Sequence, residues 1–188
     1  MIRAVLLIAF IITFSTVTIA GDLTTYWNSE HNYGIAYPSE WKPDADKKFM
    51  ESDTFSVMNN ANDLAINVMA KKLSMRSGEH YRSISDIPNA KEELSNVLKS
   101  QFNIASIQSG TTQLSNEPAL WFAYSFVHKS LDKEVWIYAY QISCLKNDTI
   151  YTITAKVSGL SQDQSINKYQ KYWSIISTII TSFTFVYF

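Results

Sequence analysis

The sequence is poor in the residue types that form crosslinks, metal sites and flexible linkers. Its 188 residues include one cysteine, three histidines, five glycines and four prolines. The single cysteine, Cys144, excludes an intramolecular disulfide, and the alternation around it predicts a small buried side chain rather than a reactive thiol. So few glycines and prolines exclude a linker-rich chain. Hydrophobic residues make up 46% of the chain and aromatic residues 14%. This composition favours a globular protein with a substantial core.

Charge is balanced and spread thinly along the chain. Sixteen basic and 17 acidic side chains give a net charge of −1, and the adjacent lysines 47–48 and 71–72 are isolated pairs. A surface that binds phosphates needs a concentration of basic charge, which this sequence does not offer. We therefore expect no nucleic-acid partner.

Residues that could carry out catalysis are scattered. His31, His80 and His128 lack the spacing of metal ligands. The sequence has no glycine-rich phosphate loop and no Gly-x-Ser-x-Gly nucleophile elbow, and its serines and threonines have no evident base partner. We therefore predict no catalytic residues, no metal site and no cofactor, and we interpret the protein as not an enzyme.

Residues 1–20 have the pattern of an export signal. Arg3 precedes an apolar run over residues 4–12, and small residues follow up to Ala20 and Gly21. We expect a signal peptide cleaved after Ala20, a single mature domain over residues 21–188, no stable membrane span after cleavage, and a periplasmic or secreted location. The alternative is an uncleaved anchor, although the uncharged stretch of 17 residues is shorter than the roughly 20 residues that a span needs.

The mature chain reads as strands interrupted by two helices. Alternation and turn residues predict two early hairpins and then long strands, and apolar residues at helical spacing predict two helices. Asn89 with Glu92, and Ser161 with Gln164, are typical of capping boxes at the helix starts. The predicted strands cover residues 23–28, 33–37, 55–58, 64–70, 104–112, 119–128, 134–145 and 149–157, and the predicted helices cover 89–102 and 161–181, followed by a strand from residue 183.

The strand faces indicate how the layers stack. Residues 134–145 are apolar on both faces, which predicts an interior strand covered on each side. In residues 149–157 Ile153 belongs to the apolar face and Thr152 to the polar face, which we expect to be wet. The fold class we predict is α+β, an α/β/α sandwich with a central antiparallel sheet and helices on both faces.

Three segments resemble one family. They are residues 33–41 (YGIAYPSEW), residues 117–124 with the later stretch 147–155 (NDTIYTITA), and the closing helix with residues 182–185. Together they are similar to the PsbP-like proteins, named for an extrinsic photosystem subunit and including DcrB-type bacterial envelope proteins, over about residues 25–185. The resemblance implies the sandwich fold and a binding or assembly role without a shared catalytic set.

Aromatic residues near the N-terminus give the candidate binding site. Trp27, Tyr33, Tyr37 and Trp41 lie close together in sequence, and aromatic side chains are favoured contacts at protein interfaces. We expect part of this cluster to stay exposed beside the first hairpin and to bind a protein partner or assist an envelope complex, the alternative being full burial under the closing helix. The other function we consider is a carrier of a small apolar ligand, held in a pocket between sheet and helix.

Overall fold

The computed structural model describes residues 21–43, 53–73, 81–104, 106–130 and 133–186. The predicted signal peptide, residues 1–20, lies outside the described residues. The elements in chain order are β1 (Leu23–Asn28), β2 (Tyr33–Pro38), β3 (Lys42–Pro43), β4 (Asp53–Met58), β5 (Leu64–Lys72), a 3₁₀ turn (Ile84–Asp86), α1 (Ala90–Phe102), β6 (Ile107–Leu114), β7 (Glu117–Ser130), β8 (Lys133–Lys146), β9 (Thr149–Gly159), α2 (Gln162–Thr181) and β10 (Thr184–Phe185).

Seven strands form one antiparallel sheet in the order β3-β4-β5-β9-β8-β7-β6. A tight turn joins β8 to β9, where Asn147 and Asp148 both take positive φ angles, as a two-residue type I′ hairpin loop requires. Ile142 of β8 lies opposite Trp121 of β7 on one side and Ile153 of β9 on the other. The prediction that β8 is an interior strand is confirmed.

Each face of this sheet has its own hydrophobic core and its own helix. On one face α2 packs against β8 and β9, and Ile176, Ile179 and Ile180 join a core that includes Ile153 and Cys144. On the other face α1 and the 3₁₀ turn cover β7 and β8 through a second cluster. Because helices lie on both faces of an antiparallel sheet, the predicted α+β sandwich is confirmed.

A second, three-stranded sheet of order β1-β2-β10 was not predicted. It packs on the same face as α2, since Tyr33, Ile35 and Tyr37 belong to that core. Ser182 links the sheet to the end of α2, because its hydroxyl accepts a hydrogen bond from the Ala36 amide at 2.9 Å. The first two strands and the last strand of the described residues therefore lie in one sheet.

Two local predictions are wrong. Asn89 precedes α1 but takes a left-handed conformation with φ 55° and makes no side-chain capping bond. Thr152, which was expected on a wet face, is buried because its side chain lies beneath α1. Its hydroxyl is hydrogen bonded to that of Ser143 at 2.9 Å. None of the helices in the described ranges has the length and hydrophobicity of a membrane-spanning segment.

Candidate partner-binding surface

The structure separates the four aromatic residues that the sequence groups together. Tyr33, Tyr37 and Trp41 are 0%, 8% and 6% exposed, whereas Trp27 is 56% exposed. Strand alternation separates the two tyrosines from Trp27, since Tyr33 and Tyr37 are two full periods apart on the inner face of β2 and Trp27 lies on the outer face of β1. Trp41 lies in the bend between β2 and β3. Only Trp27 offers contact area to a partner in this conformation.

Trp27 lies flat against the backbone of the neighbouring strand. Gly34 is its direct partner across β1 and β2, and an ideal Cβ at Gly34 would stand 2.3 Å from Cζ3 of the indole ring. The glycine is therefore required for close approach of the ring. One ring face is covered by the strand, and the side chain as a whole is 56% exposed.

A larger set of aromatic side chains is brought together from β7, β8 and α2. We call Trp121, Tyr138, Tyr140, Tyr169 and Trp173 the aromatic surface. Tyr140 is central, with ring-centroid distances of 6.0 Å to Trp121 and 5.5 Å to Trp173, and the rings of Tyr138 and Tyr169 are 4.6 Å apart. Trp173 is 40% exposed and the other four are partly buried.

The aromatic surface was missed because its members are distant in sequence. Two signals could have found it, namely that Tyr138 and Tyr140 share one face of β8, and that Tyr169 and Trp173 are four residues apart on one face of α2. Only the packing of α2 on β8 makes the two patterns meet.

The aromatic surface is uncharged at ordinary pH. Burial raises the pKa of the Tyr138, Tyr140 and Tyr169 hydroxyls, and the closeness of the hydroxyls to one another raises the pKa of Tyr140 and Tyr169 further. The phenols therefore stay protonated and can donate hydrogen bonds at the margin of an apolar contact.

A cleft lies between α1 and the opposite face of the sheet. Its volume is about 380 Å³. Apolar residues of α1, Leu94, Leu98 and Phe102, form one wall, and the sheet contributes polar residues such as Thr152 and Thr154. Apolar walls with a few polar groups are typical of small-molecule sites.

The described residues show no arrangement for metal or thiol chemistry. No group of three or more histidine, cysteine, aspartate or glutamate side chains among them could hold a metal ion. Cys144 is fully buried, and burial, with a smaller contribution from Glu117, raises the pKa of its thiol to about 12. A thiol of that pKa has almost no thiolate at neutral pH, so Cys144 serves as a small core side chain.

Comparison with known proteins assigns the family. The model of the PsbP-like protein family matches residues 11–185, and the chain belongs to this family. The solution structure of cyanobacterial PsbP (CyanoP) from Synechocystis sp. PCC 6803 is similar, with a TM-score of 0.59 and 14% identity, covering 90% of this chain and 95% of that chain. The resemblance to PsbP-like proteins is thus confirmed.

A second solved structure shares the fold. It is the Saccharomyces cerevisiae Ran-binding protein Mog1p, with a TM-score of 0.54 and 13% identity, covering 89% of this chain and 97% of that chain. At these identities the likeness shows the fold alone. A search of curated protein sequences finds no significant match.

Proposed function

We propose that this protein is an exported, non-catalytic binding protein that docks a protein partner, or assists an envelope complex, through the aromatic surface. The observation that carries the proposal is the exposure of Trp173 beside two tyrosines. Its ring meets that of Tyr140 edge-on at a centroid distance of 5.5 Å and lies tilted to that of Tyr169 at 5.7 Å. Tryptophan and tyrosine are enriched among the residues that dominate binding energy at interfaces. Large exposed apolar patches on folded proteins commonly mark interaction sites, and the exposed ring of Trp173 adds apolar area to the partly buried rings beside it.

The fold itself is compatible with this role. The yeast protein of similar fold is named as a Ran-binding protein, so one protein of this architecture binds another protein. The partner of the present chain is defined by chemistry only, as a protein surface with apolar groups and acceptors for the tyrosine hydroxyls. Trp27 is a second proposed contact, on the outer face of the three-stranded sheet.

The docking proposal is tested with a photo-crosslinking amino acid in place of Gln170, an exposed residue about one turn before Trp173 on α2, in cells that make the full chain. The crosslinked protein is identified and purified, and its affinity for the Trp173→Ala variant is measured. Truncating a central interface aromatic costs about 2 kcal/mol or more, so affinity should fall by about 30-fold or more.

Val97 supplies the matched control. It is 56% exposed on α1, on the opposite face of the sheet, and Val97→Ala should leave the affinity unchanged. Both variants must keep the melting temperature of the native protein to within a few degrees. Equal losses in the two variants, or no loss in Trp173→Ala, would contradict docking through the aromatic surface.

Export is tested separately by N-terminal sequencing. Protein from the envelope fraction should begin at Gly21 or within a few residues, as the residues before it predict. Met1 retained on protein in the membrane pellet would contradict cleavage and favour an anchor.

The cleft beneath α1 favours a second candidate function, a carrier of a small apolar ligand. Its volume of about 380 Å³ is within the range of about 300–1,000 Å³ for small-molecule sites. Native mass spectrometry after gentle purification would show a retained ligand as excess mass. Leu94→Trp, which places a larger side chain in the cleft, should abolish that excess, whereas the adjacent exposed variant Glu93→Gln should keep it. A protein of bare polypeptide mass would contradict the carrier.

A further inference from the structure

Strand β7 extends beyond its neighbour at the edge of the large sheet. Residues 117–124 of β7 pair with β6, whereas β8 pairs with β7 as far as Ser130. Among the described residues, no strand lies on the outer side of residues 125–130, which we call the β7 overhang. Alternate residues of an antiparallel strand direct their N–H and C=O groups to opposite sides, so the overhang presents backbone groups away from β8.

A cavity of about 400 Å³ lies beside the overhang. It is lined by Ser125 and Val127 from one face of β7 and by Tyr124 and Phe126 from the other. A depression on one face of a sheet contacts only alternate residues. Contact with both sets, and with Ser106 immediately before β6, places the cavity at the edge of β7, beside the start of β6.

The ends of both helices flank this gap. Phe102 and Asn103 at the end of α1 line it, as do Gln162 and Ile166 at the start of α2. The gap is therefore recessed between two helix ends. A second copy of this chain would carry its own helix ends beside its own overhang, and these would meet those of the first copy. The shape of the gap favours a single extended segment instead.

The residues that line the gap favour an uncharged segment. Among them only Lys129 is charged, and its ammonium lies 2.8 Å from the carboxylate of Glu134. Trp136 and Tyr138 provide apolar area on one side, and Tyr138 is shared with the aromatic surface. An apolar side chain at alternate positions of an added strand would contact these two rings.

We propose that an extended, uncharged segment of a partner protein adds to the β7 overhang as an edge strand. This inference rests on the proposed protein-binding function and names its binding mode, in which main-chain hydrogen bonds supply affinity and side-chain pockets supply specificity. Tyr138 belongs both to the gap and to the aromatic surface, so the two form one continuous binding site.

The test uses a soluble acetylated hexapeptide of alternating threonine and valine with one central phenylalanine, together with the full chain. Hydrogen exchange of the protein is followed by mass spectrometry with and without the peptide. The peptide should slow exchange within residues 125–130 and leave β5 unchanged. The matched probe is the same peptide N-methylated at two alternate residues, which keeps the side chains but removes two donors, and it should bind about tenfold more weakly.

Two protein variants complete the experiment. Ser125→Lys places a charge at the gap and should weaken peptide binding about tenfold. Thr111→Lys, on the exposed part of β6 and outside the gap lining, should change it by less than about twofold. If Ser125→Lys fails to fold, the N-methylated peptide still decides the question.

Three results would overturn the inference. They are no peptide binding at millimolar concentration, equal binding of the two peptides, and binding without slower exchange in residues 125–130. A concentration-dependent dimer that protects the same amides would assign the overhang to a second copy and also overturn it. None of these results alters the Trp173→Ala measurement, so failure of the strand-addition mode is distinguishable from failure of the proposed function.

Discussion

Replacing Ile153 with alanine is the sharpest test of how the central sheet is packed. Ile153 lies between Val68 of β5 and Ile142 of β8 and is fully buried on the α2 side. Ile153→Ala removes three carbon atoms at about 0.8 kcal/mol each, or about 2.4 kcal/mol of transfer free energy. Hydrogen-bonded strands on both sides prevent collapse of the cavity, so a total loss of about 3–5 kcal/mol is expected.

Urea denaturation followed by circular dichroism measures this loss. With a slope of about 2 kcal/mol per molar urea, the midpoint should fall by about 1.5–2.5 M. Thr111→Ala, on exposed β6, should cost about 0.5 kcal/mol or less. Thr152→Ala should cost about 1–2 kcal/mol, because it leaves the buried Ser143 hydroxyl without this partner. A midpoint for Ile153→Ala equal to that of Thr111→Ala would refute the packing described here.

Three further predictions concern single sites. Gly110→Ala would place a Cβ 2.6 Å from Nε1 of Trp121, so it should cost about 1–3 kcal/mol and shift the tryptophan fluorescence; unchanged fluorescence and stability would contradict the ring position. Burial raises the pKa of Asp63, but hydrogen bonds, led by that of Lys168 at 2.8 Å, outweigh it and lower the pKa. A lowered pKa stabilises the fold above the ordinary value near 3.8, and this stability is lost as pH falls through the folded value. The free energy of unfolding, measured with urea, should fall less steeply between about pH 5 and pH 2 in Lys168→Met than in the native protein. An unchanged pH profile would show that the Asp63–Lys168 ion pair does not cause this loss of stability. Cys144 should resist a thiol reagent at pH 8 in the native protein and react fully in denaturant, and rapid native labelling would contradict its burial.

Local patterns predicted most of the elements correctly because those elements depend on neighbours in sequence. The alternation of residues 149–157 and the apolar stripe of residues 161–181 identify β9 and α2 within a few residues of their observed bounds. The second sheet could not be predicted in this way. Its strand β10 has two residues, and it pairs with Gly34 and Tyr33 at the other end of the chain, so no local signal reports the contact.

The site was harder to predict than the fold, because proximity in sequence does not determine which way a side chain faces. Period-two alternation already places Tyr33 and Tyr37 on one face of β2, but only the packing of that face on α2 shows that it is the buried one. The aromatic surface, by contrast, is built from residues that are distant in sequence. Trp121 and Trp173 are about 50 residues apart and each contacts Tyr140, so the tertiary fold alone brings them together.

The exposed Trp27 and the partly buried Trp121 are held in the same way, which bears on binding. Trp27 lies over Gly34 and Trp121 lies over Gly110, in each case directly across a pair of antiparallel strands. Because glycine has no Cβ, the indole ring packs directly on the neighbouring strand. This contact restricts the ring and leaves part of its surface available to a partner. A side chain that is ordered before binding loses less conformational entropy when a partner docks. Both glycines therefore act as positioning residues for the proposed contacts, and their effect on partner affinity should exceed what their own contact area would provide.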